Sequence, residues 1–438
     1  MIPRRQFIRL VTGATAGLVV GPGCSKSRWP GPNAFNGRIL IVGAGSAGLY
    51  AGYLLQAYGI DFEILEAQAR HGGRLLKLEG FATTPLDLGA AWLHGRHNLA
   101  ADLVRKFQFP LREDTREPTF WFQGQKTPSL PQSPYIFEGT NLPDISFLEF
   151  SQQKGLLPDY QWIVEAIAAE YGASAGNISV YQNAVEGEKW TAGEEDFVFQ
   201  TTYFDFIHQY IAIPVLSRIR YNTPITQIDY SGPGVVLKDA NSKTYTGDVV
   251  LITIPISLLK AGAIEFYPPL PPDKVQAFSK IGMDPCIKFF LKFQNRFFDP
   301  YLMGGAVCGN YFDATWGREA AEAVLMGMVM GNQALFLQDM GSAQAMTEAL
   351  LQELDSIYGG QASSSFVAAH FQNWTSEPYI RGGYSFGTVQ MGNARALAAS
   401  SVDNKVFFAG EAMNRNGHHQ TVHGAMETAW QALLEILR

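Results

Sequence analysis

Three glycines and a distant carboxylate are the first residues whose spacing predicts chemistry. Gly43, Gly45 and Gly48 directly follow the apolar run Arg38–Val42, and Glu66 ends a second apolar run 23 residues after the first glycine. In a strand–turn–helix unit the first glycine permits the tight turn, the second lets the backbone approach a pyrophosphate, and the third lets the helix pack on the strand. The acidic residue then binds a ribose hydroxyl. The pattern predicts a dinucleotide site, against the alternative of a glycine-rich loop that only packs.

The residues after Glu66 indicate which dinucleotide is bound. They form the stretch Glu-Ala-Gln-Ala-Arg-His-Gly-Gly-Arg, which resembles the E-x-x-x-R-x-G-G-R signature of the flavin-containing amine oxidases. The resemblance implies FAD, with Gly72 and Gly73 bringing the backbone close to the diphosphate and Arg74 beside it. Gln68 stands where the family often has a second arginine, so one phosphate contact is missing. An NAD-dependent dehydrogenase, the alternative from the glycine turn alone, has no use for this extension.

The resemblance continues through residues 87–95, whose sequence is DLGAAWLHG. In the family this segment contacts the flavin, and its Trp-Leu-His-Gly ending is similar to the polyamine oxidase branch. That likeness implies that His94 lines the substrate site, whereas the residue type alone also suits a structural loop histidine.

A lysine within an apolar strand is the next candidate. Lys288 lies in the run Cys-Ile-Lys-Phe-Phe, and a buried ammonium is costly unless a partner is provided. In the family that this chain resembles, a lysine at the matching position holds a water against flavin N5 and assists reoxidation by dioxygen. The competing interpretation is a lysine on a half-exposed strand, for which Lys292 is the better candidate.

An aromatic stretch in the last quarter of the chain resembles the family's substrate cage. Residues 374–384 match the pattern W-x-x-(D/E)-P-Y…G-x-Y, which implies that Trp374 lies against the flavin and that Tyr384 forms one wall of the cage. The family's opposite wall falls at Thr421, which is not aromatic. The sequence leaves the replacement open, with three histidines as candidates: His418, His419 and His423.

The last flavin contacts are expected where a C-terminal strand ends at Gly410 and where the last helix begins. The dipole at that helix N-terminus would favour the negative charge of reduced flavin. Gly383 stands at the position of the family's covalent flavin cysteine, so we predict non-covalent FAD. The predicted cofactor contacts are Gly43, Gly45, Ser46, Ala47, Gly48, Glu66, Ala67, Gly73, Arg74, Gly89, Ala90, Ala91, Trp92, Ile225, Gly410, Glu411, Thr421 and Val422. Among these, Ile225 matches the family's adenine contact, although periodicity alone makes it a hairpin core residue.

The resemblance implies a flavin-dependent oxidase acting on CH–NH or CH–NH2 donors, with dioxygen as acceptor. A neutral primary or secondary amine, polyamine or monoamine, would pass a hydride to flavin N5 and leave as an imine that hydrolyses to an aldehyde, and dioxygen would become hydrogen peroxide. The expected catalytic residues are Lys288, Tyr384, Trp374 and His94. Two alternatives stay open. An L-amino acid oxidase would require the arginine-bearing stretch that Gly-Ala-Ala-Trp replaces here, and a non-catalytic FAD-binding module would suit the half-missing cage.

These residues must be positioned by two interleaved domains. The predicted fold class is α/β, with a Rossmann-like FAD-binding domain built on a parallel sheet over residues 36–105, 215–262 and 390–438. A mixed-sheet α+β substrate-binding domain takes residues 106–214 and 263–389. Helical periodicity is clearest over residues 47–58, 161–171 and 425–437.

The chain begins MIPRRQFIRLVTGATAGLVVGPGC, which resembles the bacterial twin-arginine signal used to export folded proteins. Paired arginines, a short apolar run and small residues predict a signal peptide over residues 1–24, followed by a linker over 25–35. The expected location is the periplasm. Lipidation of Cys24 is the less favoured alternative, because Gly21 stands where an aliphatic residue is usual.

Composition narrows the class of partner. Without the three arginines of the first 24 residues, 30 basic residues face 40 acidic ones, which argues against a nucleic-acid partner. No later run of 18 apolar residues predicts an internal membrane span, and no Cys/His spacing predicts a metal site. Cys286 and Cys308 are expected to be buried free thiols. The expected partners are a small amine and dioxygen, and a homodimer is left open.

Overall fold

A computed structural model of the 438-residue chain describes residues 35–134, 141–318 and 322–438. The predicted signal peptide, Cys24 and almost all of the predicted linker lie outside the described residues. Within those ranges, none of the helices combines the length and the apolar composition that a membrane span requires.

Five parallel strands form the sheet that carries the glycine turn. Their spatial order is Ile219–Arg220, Asp61–Leu65, Arg38–Val42, Val249–Ile252 and Val406–Phe408. The central strand thus pairs with one strand that follows it closely and with another that is far away along the chain. Three separate stretches of sequence therefore build one sheet.

Both faces of this sheet are covered, which explains why its strands are nearly continuous apolar runs. Because side chains alternate along a strand, Ile39 and Ile41 face one side while Leu40 and Val42 face the other. The first pair packs into a core with the helices Ser46–Tyr58 and Val422–Ile436. The second pair packs into a core with a small four-stranded sheet and the helix Pro272–Lys280.

The chain also forms a mixed seven-stranded sheet. Its order is Phe366–Asn373, Cys286–Phe293, Ala323–Met330, Asn310–Asp313, Tyr301–Met303, Thr119–Phe122 and Gln125–Thr127. All neighbours are antiparallel except the pair formed by Tyr301–Met303 and Thr119–Phe122. The α/β class with one parallel and one mixed sheet is confirmed.

Smaller sheets connect these two units. The four-stranded sheet has the order Thr244–Gly247, Val235–Asp239, Ile225–Asp229 and Glu265–Tyr267, and a three-stranded sheet has the order Trp92–His94, Asp196–Phe199 and Leu111–Glu113. Two-strand pairs join Ile281–Met283 to Ser385–Gly387 and Lys77–Leu78 to Leu86–Asp87. The predicted domain bounds remain a prediction. The four-stranded sheet pairs strands across the bound at 262, and the three-stranded sheet pairs strands across the bound at 105.

The α-helices of the described ranges are Ser46–Tyr58, Leu99–Phe107, Phe147–Gln153, Gln161–Glu170, Val180–Glu188, Tyr203–Ile207, Ile256–Lys260, Pro272–Lys280, Gly331–Asp339, Ala343–Tyr358, Gln361–Ser365, Ala394–Ala399 and Val422–Ile436. A π-helical turn at His208–Ala212 continues into the 3-10 turn Ile213–Arg218, and a second 3-10 turn spans Glu411–Met413. The last helix begins at Val422 and is capped by Thr421, within the segment where its start was expected.

Candidate active site

A cavity of about 570 Å³ lies between the parallel sheet and the mixed sheet. It starts at the glycine turn, at the carboxyl ends of the parallel strands, where open α/β sheets bind ligands. It then continues between the strands that carry Trp92 and Lys288. We call the part lined by the glycine turn the cofactor groove. We call the part lined by Trp92, Lys288, Trp374 and Tyr384 the inner chamber.

The glycine turn leaves its cavity side open. Gly43 has φ +105°, and its amide donates to Leu65 O at 2.8 Å. A Cβ on Gly45 would meet no atom within 4 Å, so a ligand has room to approach the backbone there. Gly48 is different: it does not line the cavity, and a Cβ there would lie 2.0 Å from Gly43 O. The prediction of Gly48 as a cofactor contact is therefore corrected to a packing position that lets the helix cross the strand.

Glu66 is fixed at the end of its strand by backbone donors. Its Oε2 accepts from the Ala44 amide at 2.6 Å, and its Oε1 accepts from the Gln68 amide at 2.8 Å. Burial raises the pKa of Glu66, and these hydrogen bonds oppose that rise. Each carboxylate oxygen keeps a second lone pair for a ligand hydroxyl.

The loop after Glu66 folds back onto the glycine turn. The Gly72 amide donates to Ala44 O at 2.8 Å, and Gly73 has φ +59°. Arg74 Nη1 donates to Gly383 O at 2.7 Å and to Glu411 Oε1 at 3.0 Å. Burial alone would raise the pKa of Glu411, but Arg74, the Ser385 hydroxyl and Arg395 together lower it. The Arg74–Glu411 pair thus joins both ends of the chain at the cavity wall.

The remaining predicted cofactor contacts line the same cavity: Ser46, Ala47, Ala67, Gly89, Ala90, Ala91, Trp92, Ile225, Gly410, Thr421 and Val422. Gly89 permits a close chain crossing, because a Cβ there would lie 1.6 Å from Arg74 O.

Lys288 is buried beside this crossing. It is 1% exposed, and its Nζ donates to Gly89 O at 2.9 Å. Burial lowers the pKa of Lys288 to about 8, although the Asp87 carboxylate opposes the shift. Lys292, two residues along the same strand, is half-buried and donates to Phe81 O outside the cavity. Of the two lysines, the structure brings Lys288 into the site.

Trp374 and Tyr384 lie on the wall of the inner chamber. Trp374 is buried, and its Nε1 donates to Leu88 O at 3.0 Å. The Tyr384 hydroxyl lies 3.2 Å from Ala169 O and 3.1 Å from Glu170 O. Gly172, with φ +80°, makes room for this ring, because a Cβ there would lie 2.5 Å from Tyr384 Cε2.

Thr421 is the N-cap residue of the last helix. Its hydroxyl donates to His418 O at 2.7 Å and accepts from the Gly424 amide at 2.9 Å, which caps the last helix. The candidate replacements His418, His419 and His423 do not line the cavity. The other aromatic side chains on the cavity wall include Trp92, Tyr301, Phe312 and Tyr379.

His94 faces the chamber next to an aspartate. Its Nδ1 lies 2.7 Å from Asp196 Oδ1, because the strands Trp92–His94 and Asp196–Phe199 are paired. The predicted placement of His94 on the cavity wall agrees with this geometry. Asp196 was not predicted, since no motif in the sequence marks it.

Three more polar residues of the chamber were missed. Asp114 Oδ2 accepts from Trp92 Nε1 at 2.8 Å and pairs with Arg116 through both oxygens, at 2.8 and 2.6 Å. Burial raises the pKa of Asp114, but Arg116 and Trp92 outweigh it and the pKa is lowered. Glu170, at the end of its helix, has its Oε1 2.5 Å from the Tyr301 hydroxyl. In sequence, a helix-end acid and a D-x-R loop look like ordinary surface residues.

The open glycine turn, the anchored Glu66 and the folded-back loop fit a dinucleotide whose diphosphate runs along backbone amides. Gly383 offers no side chain for a covalent flavin link. The residues present therefore suit FAD bound non-covalently.

Comparison with known proteins agrees with this geometry. The family model described as flavin containing amine oxidoreductase matches residues 46–156 and 199–436. The chain is 26% identical over 432 residues to lysine-specific histone demethylase 1B of Mus musculus, covering 89% of this chain and 52% of that protein. It is 25% identical over 432 residues to probable polyamine oxidase 4 of Arabidopsis thaliana, covering 88% and 84%. The chain spans about half the length of the histone demethylases that it matches.

Solved structures share the fold. A putrescine oxidase bound to putrescine aligns with a TM-score of 0.77 at 18% identity, covering 92% of this chain and 99% of that one. Cyclohexylamine oxidase from Brevibacterium oxydans IH-35A aligns with a TM-score of 0.77 at 19% identity, with the same coverage. Because the family model covers most of the sequence, the chain belongs to the flavin-containing amine oxidoreductase family, and its cofactor is FAD.

Proposed function

We propose that this chain is an FAD-dependent amine oxidase that acts on a primary or secondary amine, with dioxygen as acceptor. The observation that carries the proposal is the buried Lys288 ammonium, which shares one cavity with Trp374 and Tyr384. When bound, FAD supplies the hydride-accepting chemistry that turns the amine into an imine and dioxygen into hydrogen peroxide. The imine is hydrolysed in water to an aldehyde.

Lys288 provides positive charge where dioxygen gains negative charge. Its Nζ has three protons, and one of them is donated to Gly89 O. The other two are available for a water or for a reduced oxygen species. Because the site is buried, this charge acts through a medium of low dielectric and is worth far more than in water.

The aromatic walls select the neutral form of the amine. Trp92, Phe312 and Tyr384 line the cavity with aromatic surface, which disfavours a charged ammonium beside it. Only the neutral amine has its lone pair free to assist removal of the hydride, so reduction should speed up as pH rises toward the amine's own pKa.

Carboxylates on the cavity wall favour a substrate with a second, cationic nitrogen. Glu170 and Asp196 both line the cavity. Glu170 Oε1 accepts from the Tyr301 hydroxyl, and Asp196 Oδ1 lies 2.7 Å from His94 Nδ1. A carboxylate has several lone pairs, so it can accept from more than one donor. This supports a polyamine or diamine over an aryl monoamine within the proposed class.

The L-amino acid oxidase alternative would need a guanidinium for the substrate carboxylate. Arg116 lines the cavity, but its Nε and Nη2 are bound to Asp114 and its Nη1 to Asp313 O. Arg74 Nη1 is bound to Glu411 Oε1 and to Gly383 O. Arg381 also lines the cavity, and its Nε donates to Pro378 O. The carboxylate partners offset the charges of Arg116 and Arg74, so neither of these two arginines favours an amino acid substrate.

The direct test is spectroscopic. Purified protein is expected to be yellow. In the absence of oxygen, spermidine, putrescine, benzylamine and L-leucine are added to separate samples, and bleaching of the flavin is followed. Bleaching by spermidine or putrescine supports the proposal and its substrate class, and bleaching by benzylamine supports an oxidase of monoamines. Bleaching by L-leucine alone would replace the proposal with an amino acid oxidase, and a yellow protein that no amine bleaches would favour the non-catalytic module.

A further inference from the structure

Two histidines and a glutamate meet beside the last helix, outside the cavity. His423 and Glu427 are four residues apart on the helix Val422–Ile436, so they share one face. His418 comes from the preceding loop, and its Nδ1 lies 2.9 Å from Glu427 Oε2 and 3.0 Å from Oε1. One ligand atom from each residue lies within 4.8 Å of the others. The sequence does not predict this cluster, because its spacing matches none of the usual metal motifs.

We infer that His418, His423 and Glu427 form a binding site for a Zn²⁺-class transition-metal ion. Two imidazoles and a carboxylate are a common zinc donor set, whereas Ca²⁺ and Mg²⁺ prefer oxygen ligands alone. Ligands about 2.1 Å from a tetrahedral ion lie about 3.4 Å apart, so side-chain shifts of about 1 Å close the site. A water completes the coordination.

The surroundings of the cluster suit metal ligands. His418 and His423 are 6% and 1% exposed, and the Trp190 ring packs edge-on against both. In the structure the Thr191 amide donates to His418 Nε2 at 3.4 Å, and Thr191 Oγ1 lies 3.2 Å from the same nitrogen. An ion on Nδ1 would place the ring proton on Nε2, where Thr191 Oγ1 would accept it in place of the amide contact. Such an outer partner fixes the tautomer and orientation of a ligating histidine.

The carboxylate is oriented as well. Asn414 Nδ2 lies 3.2 Å from Glu427 Oε2 and 3.2 Å from Gly424 O, and Asn414 Oδ1 accepts from the His418 amide at 3.1 Å. One buried amide therefore holds the loop residue and the helix residue in register. A hydrogen-bonded ligand carboxylate is the usual arrangement around a bound metal.

A metal here would clamp the cavity wall. The loop from Asn414 to Thr421 joins the 3-10 turn at Glu411 to the last helix, and the Gln420 amide donates to Glu411 Oε2 at 3.0 Å. Gln420 and Thr421 line the cavity. An ion joining His418 to the helix would therefore stabilise the loop that carries this wall, without touching amine or flavin.

The test uses the full chain with FAD and no affinity tag. After treatment with a chelator, the protein is loaded with Zn²⁺ and desalted, and zinc per chain is measured by elemental mass spectrometry alongside the melting temperature. We expect one retained Zn²⁺ per chain and a higher melting temperature. Glu427→Gln keeps an acceptor for His418 and so should fold, but its Zn²⁺ affinity should fall by at least about 100-fold.

Glu435→Gln is the matched control, because it makes the same change at an exposed position of the same helix. It should retain as much zinc as the unchanged chain. Ca²⁺ should not raise the melting temperature of the unchanged chain or of Glu435→Gln. Either of two results would overturn the inference: the unchanged chain retains no zinc, or Glu427→Gln and Glu435→Gln retain equal amounts of zinc. Both readouts are independent of amine turnover, so this inference and the proposed function fail separately.

Discussion

At the scale of single residues, Lys288 should govern the oxygen reaction more than the amine reaction. Methionine has a similar length and no charge, so Lys288→Met should fold while removing the buried ammonium. We expect reoxidation of reduced flavin by dioxygen to slow by about 100-fold, the size of effect seen when one preorganised electrostatic partner is lost. Rapid-mixing absorbance measurements follow the two half-reactions separately.

Lys292→Met is the matched control, because it removes a lysine from the same strand outside the cavity. Its reoxidation rate should stay within about twofold of the unchanged chain, as expected for a site away from the chemistry. Equal slowing in both variants would show that Lys288 acts through the strand and not through its charge.

The pKa of Lys288 gives the two half-reactions opposite pH dependences. Burial lowers this pKa to about 8, so the ammonium is present below pH 8 and is lost above it. Reoxidation should therefore slow as pH rises through about 8, while reduction by the amine should speed up because the neutral amine becomes more abundant. Reoxidation that stays flat from pH 6.5 to 9.5 would contradict the assigned role of Lys288.

At the scale of elements, the end of the helix Gln161–Glu170 sets the position of the Tyr384 ring. Gly172 has φ +80°, and a Cβ there would enter the ring at 2.5 Å. Gly172→Ala should lower kcat/KM by about 100-fold, because displacement of a group at the site by about 1 Å has that cost. Steady-state kinetics with the amine identified by bleaching measure this.

Gly155→Ala separates backbone strain from ring displacement. Gly155 also has positive φ, at +71°, but a Cβ there would meet nothing within 4 Å. Both variants should lose about 1–2 kcal/mol of folding free energy through the left-handed backbone. Loss of kcat/KM in both variants would mean that strain, and not Tyr384, explains the effect.

Local motifs predicted the cofactor half of the site, and long-range packing built the rest. The glycine turn and Glu66 belong to one strand–helix–strand unit, so their spacing alone defines their geometry. Gly48 packs the helix on the strand, as the third glycine of the motif is expected to do, and it does not line the cavity. Lys288 was predicted over Lys292 from the family resemblance, and the structure shows Lys288 buried in the cavity wall.

The chamber residues could not be read from spacing. Asp114, Glu170 and Asp196 come from a loop, a helix end and a short strand that meet only when the sheets pair. Nothing in their own neighbourhoods distinguishes them from solvated acids, which most acidic residues are. Thr421, in contrast, was singled out in the sequence because it is not aromatic. The structure explains the residue type, because the Thr421 hydroxyl caps the last helix.

At the scale of the whole molecule, the cavity exists only when segments far apart in the sequence have folded together. Its walls come from the glycine turn, the strand around Ile225, the strand with Lys288 and the loop before the last helix. FAD thus requires a finished fold, and FAD is made in the cytoplasm. We therefore propose that the chain loads its flavin first and is then exported folded by the twin-arginine route that its first residues resemble.

Replacing the paired arginines tests that proposal. In a bacterial host, the double substitution Arg4→Lys and Arg5→Lys should retain the protein in the cytoplasm, because the route recognises the arginine pair and not charge alone. Arg9→Lys, which keeps the pair, should still be exported. Cell fractionation with flavin fluorescence of each fraction measures location and FAD content together. A periplasmic double variant, or an exported chain without flavin, would contradict export after loading and return the start of the chain to an ordinary basic segment.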